Sequence, residues 1–142
     1  NALQERLDQG EQIKLAIGVF DCDNLKTVND QYGHDKGDIY LKNATQLICK
    51  TFQHSPVFRI GGDEFTVVLM GDDLQNREAL VQEMTRKEEE ISAATQDRWE
   101  KVHVAIGFAE YDPEQDSSVS DTMRRADMDM YENKRKWKKT HK

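Results

Sequence analysis

The chain has 142 residues, with 27 Asp+Glu against 20 Lys+Arg, for a formal net charge of −7. Six of those bases fall between Lys134 and Lys142, a stretch without an acid, so residues 1–133 carry 14 bases against 27 acids, or −13. Such an acidic body repels a phosphate backbone, which argues against DNA or RNA as a partner, and no apolar run approaches the roughly 18 residues of a membrane span, so no membrane contact is expected from this domain.

The length fits one domain with a real core. At 37% apolar and 33% charged residues the composition is that of a folded, highly charged protein. Nucleotides remain compatible with the charge, because carboxylates hold them through Mg²⁺. The two cysteines, Cys22 and Cys49, form no CxxC and no zinc spacing. They read as reduced thiols, as in a cytoplasmic domain.

In chain order, Asn1 to Gln9 reads as the end of a helix, with Leu3 and Leu7 four apart. Ile13 to Phe20 is an apolar run rich in Ile and Val, hence a buried strand. It ends in Asp21-Cys22-Asp23-Asn24, too polar to continue inside a core. A short helix is predicted over Leu25 to Tyr32, stopped by Gly33, with a turn at Asp35-Lys36-Gly37-Asp38. Ile39 to Phe52 carries apolar residues at 41, 44, 47, 48 and 52, a helical stripe. Pro56 to Ile60 and Phe65 to Met70 are strand-like and flank Gly61-Gly62-Asp63-Glu64, a β-hairpin signature. Gly71-Asp72-Asp73 reads as a loop, and Leu74 to Ala94 as a polar helix that is apolar at Leu80 and Met84. Val102 to Tyr111 is a further strand, and Asp112 to Ser118 a loop. Val119 to about Trp137 is the last helix, with Met123, Ala126, Met130 and Trp137 on one side. Strands interleaved with amphipathic helices around a hairpin predict an α/β (α+β) sandwich with a mixed central sheet flanked by helices.

Two acidic clusters stand at strand ends: Asp21 and Asp23 after the first strand, Asp63 and Glu64 in the hairpin turn. If those strands are neighbours, the clusters meet at one sheet edge. Carboxylates packed together repel unless a cation lies between them, and an all-oxygen set favours Mg²⁺, Mn²⁺ or Ca²⁺ over zinc. Gly61 and Gly62 lack Cβ atoms, so a ligand can approach the backbone closely. A calcium loop starting at Asp21 fails, because its positions 5, 6 and 12 are Leu25, Lys26 and Tyr32. No GxxxxGK[ST] phosphate loop exists. Each acidic pair alone is ordinary solvated turn chemistry; together at matched strand ends they read as a site.

The run Arg59-Ile60-Gly61-Gly62-Asp63-Glu64-Phe65 resembles the signature of GGDEF domains, the diguanylate cyclases. Asp21-x-Asp23, Lys26, Asn29-Asp30, Gly33-His34, Gly37-Asp38 and Leu41 match that family's upstream pattern in spacing. Ala126-Asp127, Tyr131 and Lys134 resemble its closing helix. The resemblance covers nearly the whole chain. It implies a fold like the palm of adenylyl cyclases and polymerases, and a homodimer in which two bound GTP become cyclic di-GMP and two pyrophosphates. Two Mg²⁺ (or Mn²⁺) ions per active site assist that phosphoryl transfer.

By the same resemblance, Asp21, the main-chain carbonyl of Cys22, Asp63 and Glu64 are metal ligands. Asp63 or Glu64 accepts the 3′-hydroxyl proton; the sequence does not separate the two. Asp23 serves equally well as a helix N-terminal acid. Asn29 and Asp38 resemble the guanine readers: a carboxylate accepts from guanine N1–H and its exocyclic amine, while an Asn amide donates and accepts. As plain structure, Asn29 would be a helix-end residue and Asp38 an N-cap. His34 resembles a substrate-pocket position, and Lys26 a lysine that stabilises transition-state charge. Lys134 resembles the lysine that grips terminal phosphates, and Lys138 takes the place of a family arginine. Asn24 and Leu25 would offer backbone N–H groups to phosphate.

Some positions depart from the family pattern. Leu25 stands where Phe is usual, Asn24 replaces another common aromatic, Trp137 stands in place of Gly, and Lys138 lacks the bidentate fork of Arg. The Arg-x-x-Asp of the family's inhibitory product site is replaced by Phe52 and Ser55, so no feedback inhibition is expected there. The family's opening motif is absent, so the chain reads as a single domain cut from a longer protein with an N-terminal sensor region. That full-length protein could be membrane-anchored.

Overall fold

The computed structural model describes residues 14–140, and the helix expected over Asn1 to Gln9 lies outside them. The first strand, β1 (Ala16–Asp23), starts later than its apolar run and continues through Asp21-Cys22-Asp23. Asp21 and Cys22 stay in the strand because they have partners on both sides, and Asp23 because it pairs with His103 on one side. Asp21 stands opposite Glu64 on one neighbour and Ala105 on the other, and the Cys22 N–H donates to the Asp63 carbonyl at 2.7 Å.

Two helices follow, α1 (Leu25–Tyr32) and α2 (His34–Thr51). Gly33, at φ 89°, is the only break between them, a left-handed conformation that glycine adopts without a Cβ penalty. The expected turn over residues 35–38 is instead the first turn of α2. Gly37 is in that turn for a packing reason, since a Cβ there would overlap the Asn29 side chain. Strands β2 (Val57–Arg59) and β3 (Glu64–Leu69) form the predicted hairpin. The acidic stretch expected as a loop is a short helix, α3 (Gly71–Gln75). After Asn76 comes α4 (Arg77–Ala94), which begins at Arg77 and not at Leu74. A 3₁₀ turn (Arg98–Glu100) leads to β4 (His103–Glu110), and α5 (Val119–Thr140) closes the described chain.

The strand order is β2-β3-β1-β4, and all three pairings are antiparallel. The sequence reading expects a mixed sheet, and this corrects it. β3 and β4 do run in the same direction, but they flank β1 on opposite sides and never pair.

The period-2 alternation of β1 sorts the core into two layers. Ala16, Phe20 and Cys22 face one side, packed with Val28 of α1, Tyr40, Ala44 and Ile48 of α2 and Met84 of α4. Leu15, Ile17 and Val19 face the other side, packed with Ala126 and Met130 of α5. The result is a sandwich with α1, α2 and α4 on one face and α5 on the other. α5 lies directly on β4, because a Cβ on Gly107 would overlap the Met130 backbone nitrogen.

Candidate functional site

Asp21 is an odd-numbered residue of β1, so it shares a face with Ile17 and Val19 and points toward α5. There the Lys134 ammonium lies 3.0 Å from Asp21 Oδ2. Glu64, opposite Asp21 in the register, falls on the same face. Its carboxyl is pushed above the usual carboxylate range, first by burial, then by the charge of Asp127 and a hydrogen bond with it, then by Asp21 and Asp63. The two acidic clusters thus meet at the β1–β3 end.

Asp21 is only 14% exposed at its side chain, and its Oδ1 is buried without a hydrogen-bond partner among the described residues. A buried carboxylate oxygen left unpartnered is unfavourable unless something fills its coordination. Among the described residues, no three Asp, Glu, His or Cys side chains form a closed metal cage. Mg²⁺ does not require one: it takes one or two carboxylates, with water and phosphate oxygens completing the octahedron. The orphaned Asp21 oxygen beside Glu64, with the Asp63 main chain anchored to Cys22, fits such an ion.

The sheet's other face carries a cleft of about 420 Å³. Leu25, Lys26 and Asn29 of α1 line it, with His34 and Asp38 of α2 and Gly62 and Asp63 of the hairpin turn. Of these, Lys26, His34 and Asp38 are exposed and Asn29 is half-buried against Gly37. Asn24 precedes α1 with φ 71°, and its side chain makes no capping hydrogen bond. Gly61 and Gly62 are exposed, and the space where a Gly62 Cβ would lie is open. Seven predicted residues therefore share one cleft, while Asp21, Glu64 and Lys134 gather across the sheet and the turn joins the two groups. Lys138 is exposed, one helical turn beyond Lys134.

Cys22 presents its side chain to the buried layer, where burial, then Asp21 and Asp63, push its thiol up to about 12, with Arg59 opposing. The side chain is therefore an inert thiol, and only its backbone faces the carboxylate end. Phe52 is buried, and the Ser55 hydroxyl donates to Asp73 Oδ2 at 2.6 Å, so both residues are tied into the core.

Arg59 and Asp127 are among the residues of these groups that the site predicted by sequence does not include. Arg59 lines the cleft, and its Nε and Nη2 donate to the carbonyls of Gly61 and Gly62 at 3.0 and 2.7 Å. Its place two residues before the glycine pair is the signal that could have marked it. Asp127 reaches Glu64 from α5; its place in the closing-helix motif is the signal that could have marked it, while its meeting with Glu64 depends on helix-to-sheet packing.

Residues 1–140 match the family model described as "Diguanylate cyclase, GGDEF domain". Diguanylate cyclase DgcP of Escherichia coli is 31% identical over 89% of this chain and 37% of its own length. Cyclic di-GMP phosphodiesterase PdeR of the same organism is 31% identical over 92% of the chain and 20% of its own length. The chain thus spans between a fifth and two-fifths of these relatives. Among solved structures, the active GGEEF domain of a diguanylate cyclase from Vibrio cholerae superposes with a TM-score of 0.74 at 28% identity, covering 95% of this chain and 83% of that one.

Proposed function

The chain belongs to the GGDEF domain family of diguanylate cyclases, and from that premise we propose that it condenses two GTP into cyclic di-GMP and two pyrophosphates at the interface of two copies of the domain. The observation that carries this reading is the buried Asp21 Oδ1, without a hydrogen-bond partner among the described residues, beside Glu64 and joined through the hairpin turn at Asp63 to the cleft lined by Asn29 and Asp38 on the sheet's other face.

Asp21, the Cys22 carbonyl, Asp63 and Glu64 would hold two Mg²⁺ or Mn²⁺ ions, which when bound supply Lewis-acid polarisation of the α-phosphate and charge neutralisation. The chain's own groups do the rest. Asn29 and Asp38 read the guanine edge, and His34 walls the pocket. The backbone at Asn24 and Leu25 and the open turn at Gly61 and Gly62 admit the triphosphate. Lys134 and Lys138 neutralise its terminal charge, and Lys26 the charge that develops at the α-phosphate. Asp63 or Glu64 takes the proton from the 3′-hydroxyl. Each 3′-oxygen then bonds to the partner's α-phosphorus as the α–β phosphoanhydride breaks and pyrophosphate leaves. Neither copy can complete the ring alone, so activity requires the dimer. Among the described residues no helix is long and apolar enough to cross a membrane. The cytoplasmic placement and the N-terminal sensor region are proposed from the family resemblance.

The test is incubation with GTP and Mg²⁺ at high protein concentration, with chromatography of the products beside an Asp63→Ala control. Cyclic di-GMP from the wild type alone is expected. No product from either protein would sink the reading.

A second reading is a non-catalytic GTP-binding regulatory module. It is favoured by Trp137 and Lys138 at the phosphate end and by the likeness to a relative named as a phosphodiesterase. It predicts saturable GTP binding without pyrophosphate release.

A further inference from the structure

The last buried residue of α5 is Met130, yet the helix runs on to Thr140. Ten residues therefore extend past the core contact, and Lys134 is among them. An unsupported helix end frays, because its terminal turns gain little from propensity alone. Two anchors on this segment are visible besides the Lys134–Asp21 pair. Asn133 Nδ2 donates to the Ile106 carbonyl at 2.8 Å. The Trp137 indole stacks on the His103 imidazole with ring centroids 3.8 Å apart and planes 13° from parallel.

His103 is itself held from two further elements, its main chain by Tyr40 of α2 and its ring by Glu88 of α4. His103 N–H donates to the Tyr40 hydroxyl at 3.0 Å, and that hydroxyl donates to the His103 carbonyl at 3.1 Å. His103 Nδ1 lies 3.3 Å from Glu88 Oε2, while Glu88 Oε1 accepts from the Val104 N–H at 2.9 Å. His103 Nε2 is buried and has no hydrogen-bond partner among the described residues. The ring's orientation thus depends on Glu88 at one edge and Trp137 on its face. Trp137 lies three residues beyond Lys134, so the indole and the ammonium share one side of α5. His103 stands opposite Asp23 in the register, two positions along β1 from Asp21.

We propose that Trp137 and His103 form a clamp that fixes the end of α5 on the carboxylate end of β1 and so sets the position of Lys134. Both are positioning residues for the GTP site. The inference rests on the reading under Proposed function for its consequence on GTP, and on the stack alone for its consequence on the helix. A glycine at position 137 could make no such clamp, so this chain carries a constraint that the usual family residue does not supply.

Two measurements test it. Amide hydrogen exchange, followed by mass spectrometry on the whole chain, is compared between wild type, Trp137→Ala and Trp137→Phe. Faster exchange confined to residues 131–140 is expected in Trp137→Ala, with Trp137→Phe close to wild type because a ring restores the stack. Unchanged exchange over 131–140 in Trp137→Ala would overturn the clamp. Faster exchange across β1 and β3 as well would also overturn it, since Trp137 would then be a general core residue.

The second measurement is GTP turnover. Trp137→Ala is expected to raise KM for GTP about three- to tenfold, the range expected for loss of one aromatic pair, with kcat close to wild type. In a Lys134→Ala background the same change should add nothing to KM. A fully additive effect would overturn the link to Lys134. If the chain binds no GTP, the proposed function fails, and hydrogen exchange still decides the clamp independently.

Discussion

Lys134 Nζ stands 3.0 Å from Asp21 Oδ2, while Asp21 Oδ1 is buried with no hydrogen-bond partner among the described residues. One carboxylate thus pairs with a cation through one oxygen and leaves the other waiting. The pairing is a consequence of alternation in β1, which turns Asp21 toward α5.

The first prediction follows from that division. Lys134→Met removes a charge-assisted contact, worth about 1.5–3 kcal/mol to a bound phosphate, and GTP affinity should fall about tenfold or more. Without nucleotide the same change frees both Asp21 oxygens. The rise in melting temperature on adding Mg²⁺ should then exceed that of wild type. Calorimetric titration with GTP and thermal melts with and without Mg²⁺ measure the two effects.

Gly37 offers a probe of the cleft that separates binding from folding. An alanine Cβ there would overlap the Asn29 amide, so Asn29 must leave its place. Alanine in a helix is also favoured over glycine by about 1 kcal/mol. Gly37→Ala should therefore keep or gain stability and still bind GTP about tenfold more weakly. Equal GTP affinity in the two proteins would remove Asn29 from the pocket.

Purine choice should follow Asp38. The Asp38 carboxylate can accept from both guanine donors, and adenine presents no such pair. Asp38→Ser should relax the preference for GTP over ATP, measured as the ratio of kcat/KM for the two. An unchanged ratio would place Asp38 outside the base site.

Asp116 gives a stability prediction with a definite pH window. It is buried, it accepts from Arg125 Nε at 3.0 Å, from Arg125 Nη2 at 2.5 Å and from Thr122 at 2.9 Å, and the Arg125 hydrogen bonds lead the causes that hold its carboxyl down at about 2. A carboxyl lowered on folding stabilises the protein above its unfolded value and loses that contribution as pH falls through its folded value. Asp116→Asn should therefore cost about 2 kcal/mol at neutral pH. The gap to wild type should close as pH falls from about 4 toward 2. Urea unfolding at stepped pH reads this out.

Gly107 tests the seat of α5. A Cβ there would overlap the Met130 backbone nitrogen, and a backbone atom in a buried helix cannot swing aside. Gly107→Ala should destabilise by about 1–3 kcal/mol. Because α5 also carries Lys134, the variant should bind GTP more weakly than its stability loss alone explains. Denaturant unfolding and calorimetry on the same preparation separate the two.

Much of this was legible along the chain. The bounds of α1, the hairpin around Gly61-Gly62 and the loop before α5 lie where turn chemistry and apolar periodicity put them, because those signals are local. Errors fell where a residue was chosen for a distant contact. Gly37 reads as a turn residue yet sits in a helix to make room for Asn29. Asp21 to Asp23 read as too polar for a strand, yet Asp21 and Cys22 bond on both sides and Asp23 pairs with His103. The acidic Gly71–Gln75 reads as a loop but forms a helical turn. The mixed sheet was an inference from element order, and order does not say which strands become neighbours.

The opening contrast, an acidic body with a basic end, is likewise resolved only in three dimensions. The sequence by itself determined that acids cluster at two strand ends, that glycines stand beside them and that bases gather at the terminus. Composition and spacing suffice for that. Tertiary structure decided that Asp21 and Glu64 face α5 while Asn29 and Asp38 face away from it. It also decided that one base of the terminal cluster, Lys134, reaches the acids, and that Trp137 rests on His103. The physical reason is that a strand's two faces are fixed by register, and a helix end is placed by what it packs against. Both are set by residues far apart in the chain.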